Sequence, residues 1–140
     1  MIKILFICHG NICRSPMAEF VMKDLVQKAN LQDKIYIESA AKSTEELGNG
    51  MHRGTVTKLR QENIPFTNHR ARQITAQDYN NFDYLIGMDE ENLYYMNKRW
   101  PNDTEHKISL LLEFANLCRD IADPWYTGNF DKTYADIQLG

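Results

Sequence analysis

The chain has 140 residues, the length of one ordinary domain, and can bury a hydrophobic core without disulfides or bound metals. Its 43% hydrophobic and 25% charged residues exclude disordered, collagen-like and coiled-coil proteins. The net charge of −3 and the scattered basic residues argue against a nucleic-acid-binding surface. No apolar run reaches the roughly 20 residues of a membrane span, and the first residues lack a signal-peptide cleavage pattern. We therefore expect one cytoplasmic domain over residues 1–140, with neither nucleic acid nor membrane as a partner.

The first predicted elements are a buried strand and an amphipathic helix. Residues 2–7 form an apolar run broken only by Lys3, which is typical of a strand covered on both faces. Ser15 then has the properties of a helix N-cap, and Pro16 those of a first helical residue. Apolar residues recur at every fourth position of this helix: Met17, Val21 and Leu25.

The rest of the chain continues the alternation of strands and helices. A second strand is predicted over residues 34–39, then a polar loop over residues 42–50 and a helix over residues 52–62 that ends before Pro65. The later predicted elements are a helix from Thr75 to Phe82 with a Thr75–Asp78 capping box, a strand over residues 84–88, a helix over residues 90–99 capped by Asp89, and a strand over residues 107–111. This order predicts an α/β fold in which a parallel sheet lies between two layers of helices.

Ligands of such sheets bind beyond the carboxyl ends of the strands, where loops meet helix N-termini. The first of these loops has the sequence Cys8-His9-Gly10-Asn11-Ile12-Cys13-Arg14-Ser15. Its backbone N–H groups, from His9 to Ser15, and the dipole of the following helix form a site for a phosphate dianion. Gly10 and Asn11 are residue types that tolerate the left-handed backbone of such a cradle.

Three side chains of this loop supply the chemistry of a covalent phosphoryl transfer. Cys8 lies in a positive field, which favours the nucleophilic thiolate at neutral pH. Arg14 can hold two phosphate oxygens at once and follow them as the phosphoryl group flattens. Ser15 can donate its hydroxyl hydrogen to the thiolate.

The other two cysteines have different expected roles. Cys13 has two interpretations that stay open: a buried structural thiol, or a redox partner that traps oxidised Cys8 as a reducible disulfide. Cys118 lies between the apolar residues Leu117 and Ile121 and is expected in the core. The spacing of the cysteines and histidines predicts no metal site.

A thiolate attack on phosphorus also needs an acid for the departing oxygen, and Asp123 is the candidate. Pro124 places this residue in a loop, and the aromatic residues that follow it favour a protonated carboxyl group. Trp125 and Tyr126 are expected to form a wall of the pocket.

Together these residues closely resemble the low-molecular-weight protein tyrosine phosphatase family. The matching segments occur in the family's order: Cys8-x5-Arg14-Ser15, Ser39-Ala40-Ala41, His69-Arg70-Ala71-Arg72-Gln73-Ile74, Phe82-Asp83-Tyr84, Met88-Asp89-Glu90 and Asp123-Pro124-Trp125. The resemblance implies a three-layer αβα, Rossmann-like phosphotyrosine phosphatase I fold with a four-stranded parallel sheet. It also implies hydrolysis of a phosphotyrosine protein or small aryl phosphate through a cysteinyl-phosphate, without metal or cofactor, with inorganic phosphate as product and inhibitor.

The resemblance also assigns roles to residues. Cys8 is the nucleophile, Arg14 the phosphate clamp and Asp123 the acid and then the base for water. The hydrogen-bond network around the loop corresponds to three residues: Asn11, Ser15 and His69. We expect a monomer.

The chain departs from the family at the rim of the pocket. His9 stands where many members have leucine, Glu45 where many have an aromatic residue, and Trp125 where many have tyrosine. Members usually extend the last helix beyond residues 131–139, so a truncated final helix is expected.

Two other classes of function are compatible with such a loop. An arsenate reductase on the same fold would need further thiols, and residues 72–90 contain none. A non-enzymatic phosphate-binding module or a phosphocarrier would have no use for the acid Asp123.

Overall fold

The apolar run after Met1 forms an inner strand of a four-stranded parallel sheet in a computed structural model that describes residues 1–140. The strands pair in the order β2-β1-β3-β4. Their bounds are β1 Ile2–Cys8, β2 Ile35–Ala41, β3 Tyr84–Gly87 and β4 Ile108–Leu110. β1 lies between β2 and β3, so the chain crosses from one side of β1 to the other between these two strands. The carboxyl end of β1 is therefore the switch point at which such sheets bind ligands.

Six α-helices and one 3₁₀ turn connect the strands. Their bounds are α1 Arg14–Lys28, α2 Arg53–Gln61, α3 Asp78–Asn81, α4 Glu90–Arg99, the 3₁₀ turn Leu111–Ala115, α5 Pro124–Thr127 and α6 Phe130–Leu139. None of the helices is long and apolar enough to cross a bilayer.

The sheet carries a separate apolar core on each face. Alternate residues of β1 point to opposite faces, and Ile4 and Phe6 belong to the larger cluster, which includes residues of α1, α2 and α6. Leu5 and Ile7 belong to the smaller cluster, which includes Met96 of α4. The predicted arrangement of a parallel sheet between helices is therefore confirmed.

The first helix differs from its prediction at its start and in the exposure of one apolar residue. It begins at Arg14, and neither Ser15 nor the N-cap Cys13 makes a side-chain cap. The Ser15 hydroxyl contacts Cys8 instead, at 3.0 Å. Leu25 is 52% exposed and lies outside the closed core, although Met17 and Val21 are buried as predicted.

The Thr75–Asp78 segment forms only half of the predicted capping box. The Asp78 carboxylate accepts a hydrogen bond from the Thr75 N–H at 2.7 Å, but the helix begins at Asp78 and its N-cap is Gln77. In contrast, Asp89 and Asn92 form a complete capping box at the start of α4.

The prediction that Cys118 is in the core is wrong, because its side chain is exposed. The 3₁₀ turn ends at Asn116 in the left-handed conformation, with φ of 60°, which redirects the chain. Leu117 packs against the larger core, and Ile121 is fully buried. The apolar pattern therefore identified the two flanking residues but not the orientation of Cys118.

Candidate active site

The loop between β1 and α1 lies at the carboxyl end of the sheet and lines a narrow pocket of about 90 Å³. Asn11 has the expected left-handed backbone, with φ of 59°, whereas Gly10 does not. An added Cβ at Gly10 would lie 3.3 Å from Cγ of Glu46, so the loop packs closely against that side chain. The expectation of a left-handed Gly10 is therefore corrected to one of close packing.

The backbone of the loop offers several unused hydrogen-bond donors. The Asn11 N–H donates to Cys8 Sγ at 3.3 Å. The other N–H groups of the loop have no acceptor within the chain: those of His9, Gly10, Ile12, Cys13, Arg14 and Ser15. Because α1 begins at Arg14, these donors lie at the positive end of a helix dipole. The loop can therefore bind a phosphate dianion.

The thiol of Cys8 is buried and accepts hydrogen bonds from within the loop. The Asn11 amide is oriented by the Arg72 N–H, which donates to its Oδ1 at 3.2 Å. Its Nδ2 then donates to Ser15 Oγ at 2.8 Å. Because Ser15 accepts this bond, its own hydrogen is free to point at Cys8 Sγ, 3.0 Å away. This arrangement stabilises negative charge on sulfur.

The network continues away from the pocket. Asn11 Nδ2 also donates to Ser39 Oγ at 2.9 Å, and Ser39 donates to Glu19 at 2.5 Å. His69 donates from Nε2 to the Asn11 carbonyl at 2.9 Å. His69 therefore supports the backbone of the loop and does not contact the thiol. All three predicted network residues contact one another or Cys8: Asn11, Ser15 and His69.

The guanidinium of Arg14 is 2% exposed and is held from behind by two acceptors. Its Nη1 donates to Asp89 at 2.6 Å and to the Ile121 carbonyl at 2.9 Å. Burial acts to lower the pKa of Arg14, but the charges of Cys8, Asp89 and Asp123 outweigh it and raise this pKa. The Nε of Arg14 has no partner in the chain and is available to a ligand.

Asp89 is the functional residue that the sequence analysis did not identify. Its Oδ1 accepts from the Asn92 N–H at 2.8 Å, as a helix cap, and its Oδ2 holds Arg14. The capping pattern alone accounts for an aspartate at this position and gives no sign of a second role. The match of Met88-Asp89-Glu90 to a segment of the family was the one sequence feature that could have indicated a functional role for Asp89.

The carboxyl group of Asp123 lies across the pocket from the loop. Its Oδ2 is 3.4 Å from Arg14 Nη2, and its Oδ1 accepts from the Trp125 N–H at 3.0 Å. The residue lies at the end of a loop, with an extended backbone, and is the N-cap of the short helix α5, whose first helical residue is Pro124. The side chain is 21% exposed, so it can exchange protons with a substrate and with water.

The mouth of the pocket contains the predicted rim residues. Trp125 and Tyr126 are 56% and 82% exposed. On the other side, Glu45 Oε2 lies 2.8 Å from His9 Nε2. The loop, the acid and the rim therefore enclose one pocket, as the lining residues show: Cys8, His9, Gly10, Ile12, Cys13, Arg14, Glu45, Glu46, Asp123, Trp125 and Tyr126.

Cys13 is buried in the same pocket wall. Burial raises the pKa of its thiol to about 12, and the negative charges of Cys8 and Asp123 act in the same direction. Cys13 is therefore a protonated thiol at neutral pH.

Comparisons with known proteins agree with this geometry. A sequence model of the low molecular weight phosphotyrosine protein phosphatase family matches residues 3–139. This chain belongs to that family. The phosphatase is 42% identical to the low molecular weight protein-tyrosine-phosphatase YfkJ of Bacillus subtilis, over 100% of this chain and 91% of the relative.

Solved structures of similar proteins have the same fold as this phosphatase. The crystal structure of YfkJ has a TM-score of 0.93 at 39% identity and covers 99% of this chain and 91% of that one. The crystal structure of a Drosophila arginine phosphatase has a TM-score of 0.90 at 35% identity, and the match covers 99% of this chain and 92% of that one. The expected family fold is therefore confirmed.

Proposed function

We propose that this low-molecular-weight protein tyrosine phosphatase hydrolyses phosphotyrosine through a phosphate ester of Cys8, without metal or cofactor. The observation that carries the proposal is the set of donors around one buried sulfur. Ser15 and Asn11 donate to Cys8 Sγ, and Arg14 and Asp123 flank the same pocket. A sulfur surrounded by hydrogen-bond donors beneath a phosphate site is a nucleophile for phosphorus.

In the first step, the Cys8 thiolate attacks phosphorus and an S–P bond forms as the bond to the tyrosyl oxygen breaks. Asp123 gives its proton to that oxygen, so the product leaves as a neutral phenol. Arg14 and the loop N–H groups hold the equatorial oxygens throughout.

In the second step, Asp123, now ionised, takes a proton from water, and the water oxygen attacks phosphorus. The S–P bond breaks, and the leaving thiolate is stabilised by Ser15. Inorganic phosphate is released and is also an inhibitor, because it binds to the same donors as the substrate.

Cys13 is the redox partner of Cys8 in this proposal. A peroxide oxidises the Cys8 thiolate to a sulfenic acid; the Cys13 sulfur then attacks the Cys8 sulfur, and the S–S bond forms as the S–O bond breaks and water leaves. Burial is the main cause of the raised Cys13 pKa and the Cys8 charge adds to it, so loss of that charge favours the attacking Cys13 thiolate. Free cysteines at all three positions are consistent with a cytoplasmic location. We propose a monomeric enzyme of one domain over residues 1–140.

Hydrolysis of matched substrates tests the proposal. Peptides with phosphotyrosine, phosphoserine or phosphoarginine at one position are compared with p-nitrophenyl phosphate, in the presence of a chelator. Phosphoarginine is included because one similar structure is named an arginine phosphatase. We expect the aryl phosphate and phosphotyrosine to be hydrolysed and Cys8→Ser to be inactive. Selective hydrolysis of phosphoarginine, dependence on metal or an active Cys8→Ser variant would contradict the proposal.

Arsenate reduction is the control for the alternative reaction on this fold. The residues between Arg72 and Glu90 provide no thiol, and the one cysteine outside the pocket, Cys118, is exposed. We therefore expect no arsenate reduction coupled to thiols.

A further inference from the structure

The mouth of the pocket is divided into an acidic side and an aromatic side. Glu45 and Glu46 form the acidic side, and Trp125 and Tyr126 form the aromatic side. Apart from the buried clamp Arg14, no lysine or arginine lines the pocket. A phosphotyrosine that enters this pocket brings its neighbouring residues close to both sets of side chains.

Each of the two glutamates has one carboxylate oxygen free for a ligand. Glu45 Oε2 is paired with His9 Nε2 at 2.8 Å, and Glu46 Oε2 accepts from Asn49 Nδ2 at 2.6 Å. The Oε1 atoms have no hydrogen-bond partner in the chain. Glu46 lies against the phosphate-binding loop, because a methyl group on Gly10 would lie 3.3 Å from its Cγ.

The segment that carries both glutamates is fixed to the phosphate-binding loop. The Lys42 N–H donates to the Cys8 carbonyl at 2.9 Å, and Ser43 donates from its N–H and its hydroxyl to the His9 carbonyl at 3.1 and 2.9 Å. The Gly48 N–H donates to the Ala71 carbonyl at 2.9 Å. The backbone that carries the two carboxylates is therefore held in place before a substrate binds, which lowers the entropic cost of using them.

We propose that this rim selects phosphotyrosine segments with a lysine or arginine within about two residues of the phosphotyrosine, the reach of a short extended peptide. A cation there meets two carboxylates on one side and aromatic faces on the other, and both attract it. An aspartate or glutamate in the same place meets like charge. The inference rests on the proposed function and names its substrate class.

Competition between matched peptides tests this selection. Three phosphotyrosine peptides differ only in flanking residues, which are lysine, alanine or aspartate. We expect kcat/KM to fall in that order, by about three- to tenfold from lysine to aspartate, since each exposed charge contributes little. High salt should narrow the difference, because exposed charges are screened. A preference for the aspartate peptide, or no difference among the three, would overturn the proposal.

Variants assign the preference to the glutamates. In the double variant Glu45→Gln/Glu46→Gln, the lysine-to-aspartate ratio should approach one, and in Glu45→Lys/Glu46→Lys it should invert. Glu105→Gln is the matched control, because Glu105 precedes β4 at the opposite edge of the sheet and its side chain is 65% exposed. This control should keep the wild-type ratio. A wild-type ratio in both double variants would contradict the role of the glutamates.

The ratio of kcat/KM for the lysine and aspartate peptides is measured on the same preparation of each variant. A smaller fraction of folded enzyme lowers both values equally and leaves the ratio unchanged. Hydrolysis of p-nitrophenyl phosphate, which has no flanking residues, separates phosphatase activity from the selection of flanking charge. If the wild type hydrolyses this ester but ignores flanking charge, only the selection is wrong. If it hydrolyses neither the ester nor the peptides, the proposed function is wrong.

Discussion

Arg14 donates from Nη1 to Oδ2 of Asp89 at 2.6 Å, although the two residues are 75 positions apart. The other oxygen of this carboxylate accepts from the Asn92 N–H and begins α4. One side chain thus fixes both the clamp for the phosphate and the helix that follows β3. Asp89 is a positioning residue, because it acts on the phosphate only through Arg14.

The variants Asp89→Asn and Asp89→Ala separate the two roles of this carboxylate. Asparagine can still cap α4 but has no charge to hold Arg14, whereas alanine does neither. Both variants should lose roughly ten- to a hundredfold in kcat/KM for an aryl phosphate, the effect of a slightly misplaced clamp. Only alanine should lose a further ~1 kcal/mol of stability, measured by denaturant unfolding. Wild-type activity in Asp89→Asn would rule out the positioning role.

Asp123→Asn tests the role of the acid. Asparagine keeps the cap of α5 but cannot donate a carboxyl proton. We expect esters with poor leaving groups to be hydrolysed roughly a hundredfold more slowly and activated esters to be affected much less. The measurement is kcat/KM across a series of aryl phosphates. Asp120→Asn, which changes an exposed carboxylate that accepts from the Glu90 N–H, is the control. Equal losses across the series would argue against a proton transfer from Asp123.

Oxidation by peroxide should depend on pH through Cys13. Its thiol has a pKa raised to about 12, so its thiolate fraction grows about tenfold for each pH unit below that value. We expect the share of oxidised enzyme recovered by thiols, and the yield of Cys8–Cys13 disulfide in peptide mass spectra, to be greater at about pH 9 than at about pH 7. Cys13→Ser should lose this recovery, and Cys118→Ser should keep it. Recovery that is independent of pH would exclude Cys13 as the trap.

The final helix is held to the preceding loop by Arg119 and Asp136. Their two hydrogen bonds measure 2.9 and 3.0 Å, and these bonds, together with the Arg119 charge, lower the pKa of Asp136. A carboxyl group with a lowered pKa in the folded state stabilises the protein above its unfolded pKa, and this contribution is lost as the pH falls through the folded value. Asp136→Asn should therefore cost stability at neutral pH, by about 1 kcal/mol for a partly exposed pair.

The pH dependence of this cost is the sharper measurement. The difference in free energy of unfolding between wild type and Asp136→Asn should shrink below about pH 4, where the carboxyl group takes up a proton. Lys132→Gln is a suitable control, because Lys132 lies 4.0 Å from the same carboxylate and should contribute little. A difference that stays constant into acid would contradict the ion pair.

The elements that the sequence predicted well are those with a strong local signal. The apolar run of β1 and the Asp89 cap of α4 each specify structure within a few residues, and both were placed to within one residue. The predicted start of α1 was wrong because the Ser15 hydroxyl contacts the thiol of Cys8 and does not cap the helix. A functional contact here overrides a local preference.

The candidate site was predicted only in part, because only some of its residues belong to a local sequence pattern. The loop and Asp123 could be found because a dense motif and a recognisable family segment carry them. The contact between Arg14 and Asp89, the packing of Glu46 against Gly10 and the exposure of Cys118 depend on where separate elements meet. Local patterns contain no information about such contacts.

In the proposed mechanism the phosphoryl group is transferred to Cys8 before it reaches water, and this intermediate can be trapped. The enzyme is mixed with an aryl phosphate and quenched in acid within the first turnovers, and its peptides are examined by mass spectrometry. We predict one phosphoryl group on the peptide that contains Cys8. If hydrolysis of the S–P bond is slower than its formation, we also predict an initial burst of phenol equal in concentration to the enzyme. Normal turnover with no phosphate on Cys8, or with phosphate on another residue, would contradict the mechanism.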